Sequence, residues 1–129
     1  MPKEADYYRG AAESRAAAGE PAAGLDILKR GLEEPDLRKE LLLPAGLFAE
    51  RAGETTLAIR LLEERAALDP SLPEVHLHLG RLLIESGEDV ARGRSEVRRA
   101  VDLKPALKTD SRVRRLLRSP ASSSPAQSV

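Results

Sequence analysis

Apolar residues recur every three or four positions through most of this 129-residue chain. In residues 21–34, for example, Ala22, Leu25, Leu28 and Leu32 fall on one face of a helix. Leu, Ala, Arg and Glu dominate the chain, and these residues favour helices over strands. The pattern therefore predicts an all-α protein. The predicted helices cover residues 4–18, 21–34, 37–52, 55–68, 73–86, 89–103 and 108–118.

Glycine and proline separate the predicted helices. Pro35 is predicted to end the second helix, and Asp36 is the predicted N-cap of the third. Pro44 lies inside the third helix, so we expect it to kink this helix or to move its start toward residue 40. Residues 119–129 are rich in Ser, Pro and Ala and are predicted to form a disordered tail.

A dipeptide recurs at a fixed interval. Gly19-Glu20, Gly53-Glu54 and Gly87-Glu88 are each separated by 34 residues, and Gly46 and Gly80 keep the same interval. An interval of this size indicates a stacked helical repeat. A sharp reversal between two helices favours glycine, so each Gly-Glu is predicted to be the turn inside a helix pair.

This arrangement resembles the tetratricopeptide repeat (TPR). The resemblance covers residues 4–105 and implies an α-solenoid of three helix pairs, a right-handed superhelix. The repeats fall at about 4–36, 37–70 and 73–105, with a capping helix at 108–118 and one domain over 1–118. In that family, small residues let the two helices of a pair pack closely. The matching positions are Ala12, Gly46 and Gly80 in the first helices, Gly24 and Ala58 in the second helices, and either Ala91 or Gly93 in the last pair.

The last helix pair is expected to need a cover. Without one, Val97 and Val101 would be exposed at the end of the stack. The helix at 108–118 is therefore predicted to cover these two valines. The covering side chains would be Val113, Leu116 and Leu117.

The family's concave surface is lined by the first helix of each pair and binds peptides or protein partners. The resemblance therefore implies a non-enzymatic adaptor or scaffold that binds a partner peptide or helix in this groove. The implied apolar strip consists of Leu43, Leu47, Leu77 and Ile84. The implied charged border consists of Asp6, Arg9, Glu13, Glu40, Glu50, Arg51, Glu74 and Arg81. Whether these leucines line a groove or are covered by intramolecular packing is left open by the sequence.

Some members of the family hold a C-terminal carboxylate with Lys and Asn at fixed groove positions. Those positions here are Asp6, Arg9, Glu13, Glu40, Leu43 and Leu47. The chain contains no asparagine. The sequence therefore argues against a carboxylate-binding groove of that kind.

Charge is unevenly distributed, although the formal net charge is zero. Residues 1–90 contain 11 Lys and Arg against 18 Asp and Glu, whereas residues 91–129 contain 10 against 3. The basic patch consists of Arg92, Arg94, Arg98, Arg99, Arg112, Arg114, Arg115 and Arg118. It supports an alternative function, an anion-binding module for nucleic acid or an anionic membrane. An acidic protein partner and self-association through the charge asymmetry are further alternatives.

Few residues suggest catalysis or metal binding. The absence of cysteine excludes disulfides and thiolate metal sites. His76 and His78 point to different sides of a helix, so together they do not chelate one metal. We expect no enzymatic activity and no cofactor. The N-terminus does not resemble a signal peptide and no apolar run approaches membrane-spanning length, which together predict a soluble cytoplasmic protein.

Overall fold

The computed structural model describes residues 4–118, and the predicted tail at 119–129 lies outside the described residues. Within residues 4–118 the chain forms α-helices and one short 3-10 helix, without strands, so the all-α prediction is confirmed. The helices are α1 (Ala5–Ala17), α2 (Pro21–Leu32), α3 (Pro35–Arg51), α4 (Thr55–Leu68), α5 (Pro73–Glu85), α6 (Val90–Leu103) and α7 (Ser111–Arg118), and the 3-10 helix is Pro105–Thr109.

The helices group into two compact units. Unit 1 ends at Leu68 and contains α1 to α4, whereas unit 2 begins at Asp69 and contains α5 to α7. In unit 1, α1 packs on α2, α2 on α3, and α3 on α4. In unit 2, α5 packs on α6, and α7 packs on α6. The predicted helix pairs are therefore present, whereas the single domain over residues 1–118 stays a prediction.

The start of α3 differs from the prediction. Pro35 is the first residue of α3, so the prediction that Asp36 caps this helix is wrong. Pro44 lies inside α3, and the helix does not begin near residue 40. A proline in a helix interior costs about 3 kcal/mol. Leu41 and Leu42 just before it are fully buried, and burial of a leucine contributes about 1.5–3 kcal/mol, which offsets that cost.

The three repeated glycines form the turns inside the helix pairs. Gly19, Gly53 and Gly87 have φ of 82°, 81° and 75°. After α3, the Gly53 N–H donates to the Glu50 carbonyl over 3.0 Å, and the Glu54 N–H donates to the Ala49 carbonyl over 2.8 Å. A Cβ added at any of the three glycines meets nothing within 4 Å. Backbone conformation, rather than lack of space, therefore requires glycine here.

Small residues bring the paired helices close together. In unit 2, a Cβ added at Gly80 would lie 2.6 Å from the Gly93 carbonyl oxygen and 2.7 Å from Val97 Cγ2. Gly93 is buried, whereas Ala91 is exposed. Gly93 is therefore the small residue at the α5–α6 crossing, which resolves the alternative that the sequence left open.

A small apolar cluster holds α7 against α5 and α6. Ile84, Val97, Val113 and Leu116 are buried together. The partly buried apolar residues packed against this cluster are Leu77, Val90, Val101, Leu107 and Leu117. The cluster confirms that the last helix covers the valines of α6, as predicted.

A glutamate accepts a hydrogen bond at the open end of each helix pair, away from the glycine turn. The Tyr8 hydroxyl donates to Glu34 after α2, and the Arg38 guanidinium donates to both Glu64 oxygens over 2.6 Å. In unit 2, His76 Nδ1 lies 2.7 Å from Glu96 Oε1. We call these the open-end contacts. They join the first helix of each pair to its second helix or to the residues just after it.

Candidate functional site

The candidate site of unit 1 lies where α1 and α3 share a surface. Arg51 Nη1 of α3 lies 3.9 Å from Glu13 Oε1 of α1. At the other end of the same two helices, Arg9 and Glu40 line a cavity of about 340 Å³. The remaining lining residues are Glu4, Ala5, Asp6 and Leu37. The structure thus brings the predicted border residues of α1 and α3 together, and the cavity carries three carboxylates and one guanidinium.

The predicted apolar residues of α3 lie only partly at the surface. Leu43, Leu47 and Glu50 are half-buried. The Arg51 guanidinium lies 4.8 Å from the centre of the Phe48 ring, within the range of a cation–π contact. Arg51 is therefore held by both a carboxylate and an aromatic ring. This surface of unit 1 is mostly polar, with two leucines partly accessible.

The candidate site of unit 2 is a cavity between α5 and α7. Its volume is about 210 Å³, and half-buried Leu77 and buried Val113 and Leu116 form its apolar side. The polar lining residues are His78, Arg81, Asp110 and Arg112. Leu77 also lines a neighbouring cavity of about 350 Å³, with Pro73, Glu74, Lys104 and Leu107. Leu77 is thus the apolar residue shared by two cavities of unit 2.

Hydrogen bonds fix the polar rim of the α5–α7 cavity. Arg81 Nη1 lies 3.1 Å from Glu85 Oε1, and Arg81 Nη2 lies 3.3 Å from His78 Nδ1. A guanidinium only donates, so His78 Nδ1 is the acceptor in this contact. Asp110 accepts from the backbone N–H of Arg112 over 2.8 Å and of Val113 over 3.3 Å. These two bonds cap α7 and hold the pKa of the Asp110 carboxyl below its usual value.

One predicted groove residue is not on the surface. Ile84 is 9% exposed, and it packs with Val113 and Leu116 beneath α7. A Cβ added at Gly93 would lie 2.7 Å from Ile84 Cγ1, so α6 also packs closely against Ile84. Assigning Ile84 to the groove is therefore corrected: the helix that covers the valines of α6 covers Ile84 as well. Glu74, predicted at the border, is exposed.

Sequence reasoning missed what α7 and the 3-10 helix contribute to the candidate site. Val113 and Leu116 were expected only to cover α6, and Arg112 only to belong to a basic patch. The missed lining residues are His78, Lys104, Leu107 and Asp110. The available signal was Asp110 three residues before Val113, which predicts a capped helix start but not the surface on which α7 docks.

The basic patch is spread over α6 and α7. Its exposed members are Arg92, Arg98, Arg99, Arg112, Arg114, Arg115 and Arg118, and Arg94 is half-buried. Arg112 Nη2 lies 3.7 Å from Asp110 Oδ2. Within residues 4–118, no carboxylate forms an ion pair with the following five arginines: Arg98, Arg99, Arg114, Arg115 and Arg118.

Buried His76 has a structural position. Its Nδ1 contacts Glu96, and its Nε2 lies 2.7 Å from the Pro70 carbonyl oxygen. Both ring nitrogens are therefore occupied. Among the described residues, no group of three or more His, Asp or Glu side chains is placed to hold a metal ion. None of the helices in that part of the chain has the length and apolar character needed to cross a membrane.

Solved structures with the same fold include peptide complexes. The Yersinia enterocolitica type III secretion chaperone SycD, in complex with a peptide of the translocator YopD, is 22% identical, with a TM-score of 0.73 over 87% of this chain and 88% of that chain. The first TPR of Spaghetti (RPAP3), bound to the HSP90 peptide SRMEEVD, is 14% identical, with a TM-score of 0.76 over 89% and 88% of the chains. PcrH from Pseudomonas aeruginosa is 17% identical, with a TM-score of 0.73 over 88% of each chain.

No protein-family model and no curated protein sequence matches the chain. The structural similarity spans most of this chain and of those three proteins, at identities that show the fold alone. The helix pairs, their glycine turns and these similarities confirm the resemblance inferred from the 34-residue interval. The chain therefore has the tetratricopeptide-repeat fold.

Proposed function

We propose that this chain is a non-enzymatic adaptor or scaffold whose first-helix surfaces bind a peptide or helix of a partner protein. The observation that carries the proposal is the cavity between α5 and α7. Half-buried Leu77 stands between two concave regions, and charged side chains border both. An apolar residue within a polar rim suits a peptide that inserts an apolar side chain and pairs its polar groups around it.

The similar structures support a peptide as the partner. SycD was solved with a peptide of the translocator YopD, and the RPAP3 domain was solved with an HSP90 peptide. Both have the fold of this chain over most of its length. The groove positions that would hold a C-terminal carboxylate are not matched here, so we propose that the peptide is recognised through an apolar side chain.

On each unit by itself, the proposed binding surface keeps the predicted groove residues except Ile84. In unit 1 it comprises Asp6, Arg9, Glu13, Glu40, Leu43, Leu47, Glu50 and Arg51. In unit 2 it comprises Glu74, Leu77 and Arg81, to which we add His78, Asp110 and Arg112. We give the surface of unit 2 the larger role, because its concave regions contain more apolar area.

The experiment is a selection of random peptides displayed on phage against the full chain. Selected peptides are then titrated into isotopically labelled protein and followed by nuclear magnetic resonance. We expect the largest shift changes at Leu77, His78 and Arg81, and we expect Leu77→Glu to weaken binding by about tenfold or more. Leu68→Glu is the matched control, because Leu68 is exposed on α4 and belongs to neither cavity.

Two results would contradict the proposal. One is a peptide that binds wild type and Leu77→Glu equally while circular dichroism shows both to be folded. The other is a set of shift changes confined to residues outside the proposed surface. Retained helicity in both variants ensures that weaker binding is not caused by unfolding.

A further inference from the structure

A second surface of unit 2 carries unpaired positive charge. It lies on α6, away from Leu77, around a shallow cavity of about 490 Å³. The lining residues are Ser95, Arg98, Arg99, Asp102 and Leu103. We call this the outer α6 surface. We propose that it binds an acidic segment of a partner protein, and that an apolar side chain of this segment covers Leu103.

Charge complementarity is the first argument for an acidic occupant. Neither Arg98 nor Arg99 forms an ion pair within residues 4–118, although Arg15, Arg38 and Arg81 elsewhere in that range do. An unpaired guanidinium keeps all its donors for a ligand, and both guanidinium-bearing residues line the same cavity. A carboxylate-rich segment accepts bidentate hydrogen bonds from such groups and neutralises their charge.

The surroundings of the surface strengthen its positive potential. Two of the carboxylates in this region are already engaged: Glu96 contacts His76, and Asp110 caps α7. Helix α7 packs on α6 and contains four arginines and no acidic residue. Arg114, Arg115 and Arg118 are exposed and form no ion pair within the described residues, so they add to the positive potential of unit 2. Asp102 is the opposing charge in the cavity lining.

Leu103 indicates that the occupant is not purely ionic. It is 41% exposed, and in the described part of unit 2 it is the exposed large apolar side chain. Its position beside Arg98 and Arg99 places apolar area at the edge of a basic surface. An acidic segment with an apolar residue would bury this area and neutralise the arginines together.

Two other anionic partners fit the surface less well. Unit 2 has no aromatic residue, since Tyr7, Tyr8 and Phe48 are the aromatic residues of the chain, so single-stranded nucleic acid would lack a stacking platform. A membrane needs an apolar helix face to insert. In α7, Val113 and Leu116 are instead buried in the cluster beneath the helix, and Leu117 packs partly buried against it.

The test measures binding of a labelled synthetic peptide that contains several glutamates and two leucines. Two variant peptides serve as comparisons: the Gln copy has Gln in place of every Glu, and the Ser copy has Ser in place of both Leu residues. We expect the acidic peptide to bind the full chain, and binding to fall about tenfold in Arg98→Glu/Arg99→Glu and to weaken as salt rises. The control is Arg30→Glu/Arg60→Glu, because both arginines are exposed on the second helices of unit 1 without an ion pair within residues 4–118.

The peptide copies and Leu103→Ser separate the two parts of the proposal. The Gln copy should not bind, and both the Ser copy and Leu103→Ser should weaken binding. Leu77→Glu should leave binding of the acidic peptide unchanged, which distinguishes this surface from the proposed peptide site. Circular dichroism confirms that each variant is folded.

Several outcomes would overturn the inference. Equal binding by wild type and the Arg98→Glu/Arg99→Glu variant would exclude the outer α6 surface as the site. Tighter binding of single-stranded DNA or of phosphatidylserine vesicles than of the peptide would assign the arginines to another kind of partner. Salt-sensitive self-association that disappears in the same variant, seen by sedimentation, would assign the surface to a second copy of the chain.

Discussion

The helix pairs α3–α4 and α5–α6 share one plan but differ in how closely their helices approach. Gly46 and Gly80 are 34 residues apart and lie at corresponding positions. A Cβ added at Gly46 would meet the Leu62 side chain at 3.1 Å, whereas one added at Gly80 would meet the Gly93 backbone oxygen at 2.6 Å. A side chain can move aside and a backbone cannot without moving its helix. Glycine is therefore preferred at position 46 in unit 1 and required at position 80 in unit 2.

The open-end contacts of the two pairs also differ, because the contact in α5–α6 is more deeply buried than the contact in α3–α4. The Arg38 and Glu64 side chains are 42% and 39% exposed, whereas those of His76 and Glu96 are 5% and 20% exposed. Water replaces an exposed partner that is removed, but a buried group loses its partner outright. Unit 2 therefore tolerates less change than α3–α4, both at the helix crossing and at the open end.

The largest effect is expected from Gly80→Val. The added side chain would collide with the Gly93 carbonyl and with Val97, so we expect the free energy of unfolding to fall by about 3 kcal/mol. Gly46→Ala should change it by less than about 1 kcal/mol, because Leu62 can adjust. Urea denaturation followed by circular dichroism measures both changes. Gly10→Ala is the control, since nothing lies within 4 Å of the added atom and the substitution should stabilise α1 by about 0.5–1 kcal/mol.

Removing the glutamate of the open-end contact should have the next largest effect. Glu96→Ala leaves a ring nitrogen of His76 buried without its partner, so we expect a loss of about 2 kcal/mol. Glu64→Ala removes an exposed ion pair and should cost about 1 kcal/mol or less. Equal losses in the two variants, measured by the same denaturation, would contradict the comparison between the pairs.

The turn glycines should show where the two pairs are alike. Gly53→Ala and Gly87→Ala should each cost about 1 kcal/mol, because both residues have a positive φ and open space around the added atom. Thermal melts of the two variants give the comparison. A much larger loss at Gly87 would mean that unit 2 is more sensitive everywhere, rather than at its crossing and its open end.

The smallest effect concerns pH. The hydrogen bond from Arg38 lowers the pKa of Glu64 in the folded chain below its unfolded value. A lowered folded pKa means that this contact stabilises the protein above the unfolded pKa, and that the contribution disappears as pH falls through the folded pKa. The difference in stability between wild type and Glu64→Gln should therefore shrink from neutral pH to about pH 3 and stay below about 1 kcal/mol throughout. A difference that grows on acidification would contradict the assignment.

The glycines explain why so much of the fold could be predicted from the sequence. Turns and close crossings each require a specific small residue, so they leave a 34-residue interval that can be counted. The Asp36 cap was predicted wrongly because Pro35 fits the first position of α3, where its missing N–H and fixed φ cost nothing. Pro44 does not move the start of α3 toward residue 40, because burial of Leu41 and Leu42 outweighs its local preference. Tertiary packing of this kind does not recur at a fixed interval in the sequence, so it could not be predicted by counting residues.

The open-end contacts were missed for a chemical reason. Tyr8, Arg38 and His76 are three different donors to a glutamate, at separations of 26, 26 and 20 residues. The groove border in unit 1 was implied by the resemblance to the repeat family, and its role in binding stays a prediction. Ile84 was misplaced because its surroundings depend on how α7 docks, and no single-helix pattern contains that information.

The contact between Tyr8 and Glu34 also gives the molecule a natural optical probe. Tyr7 and Tyr8 are the only tyrosines, their rings meet edge to face at 5.3 Å, and the chain has no tryptophan. The hydrogen bond to Glu34 raises the pKa of the Tyr8 hydroxyl. Intrinsic tyrosine emission therefore reports on the first helix pair alone, because unit 2 contains neither tyrosine nor tryptophan. A single tryptophan engineered into unit 2 would let the two units be monitored at separate wavelengths.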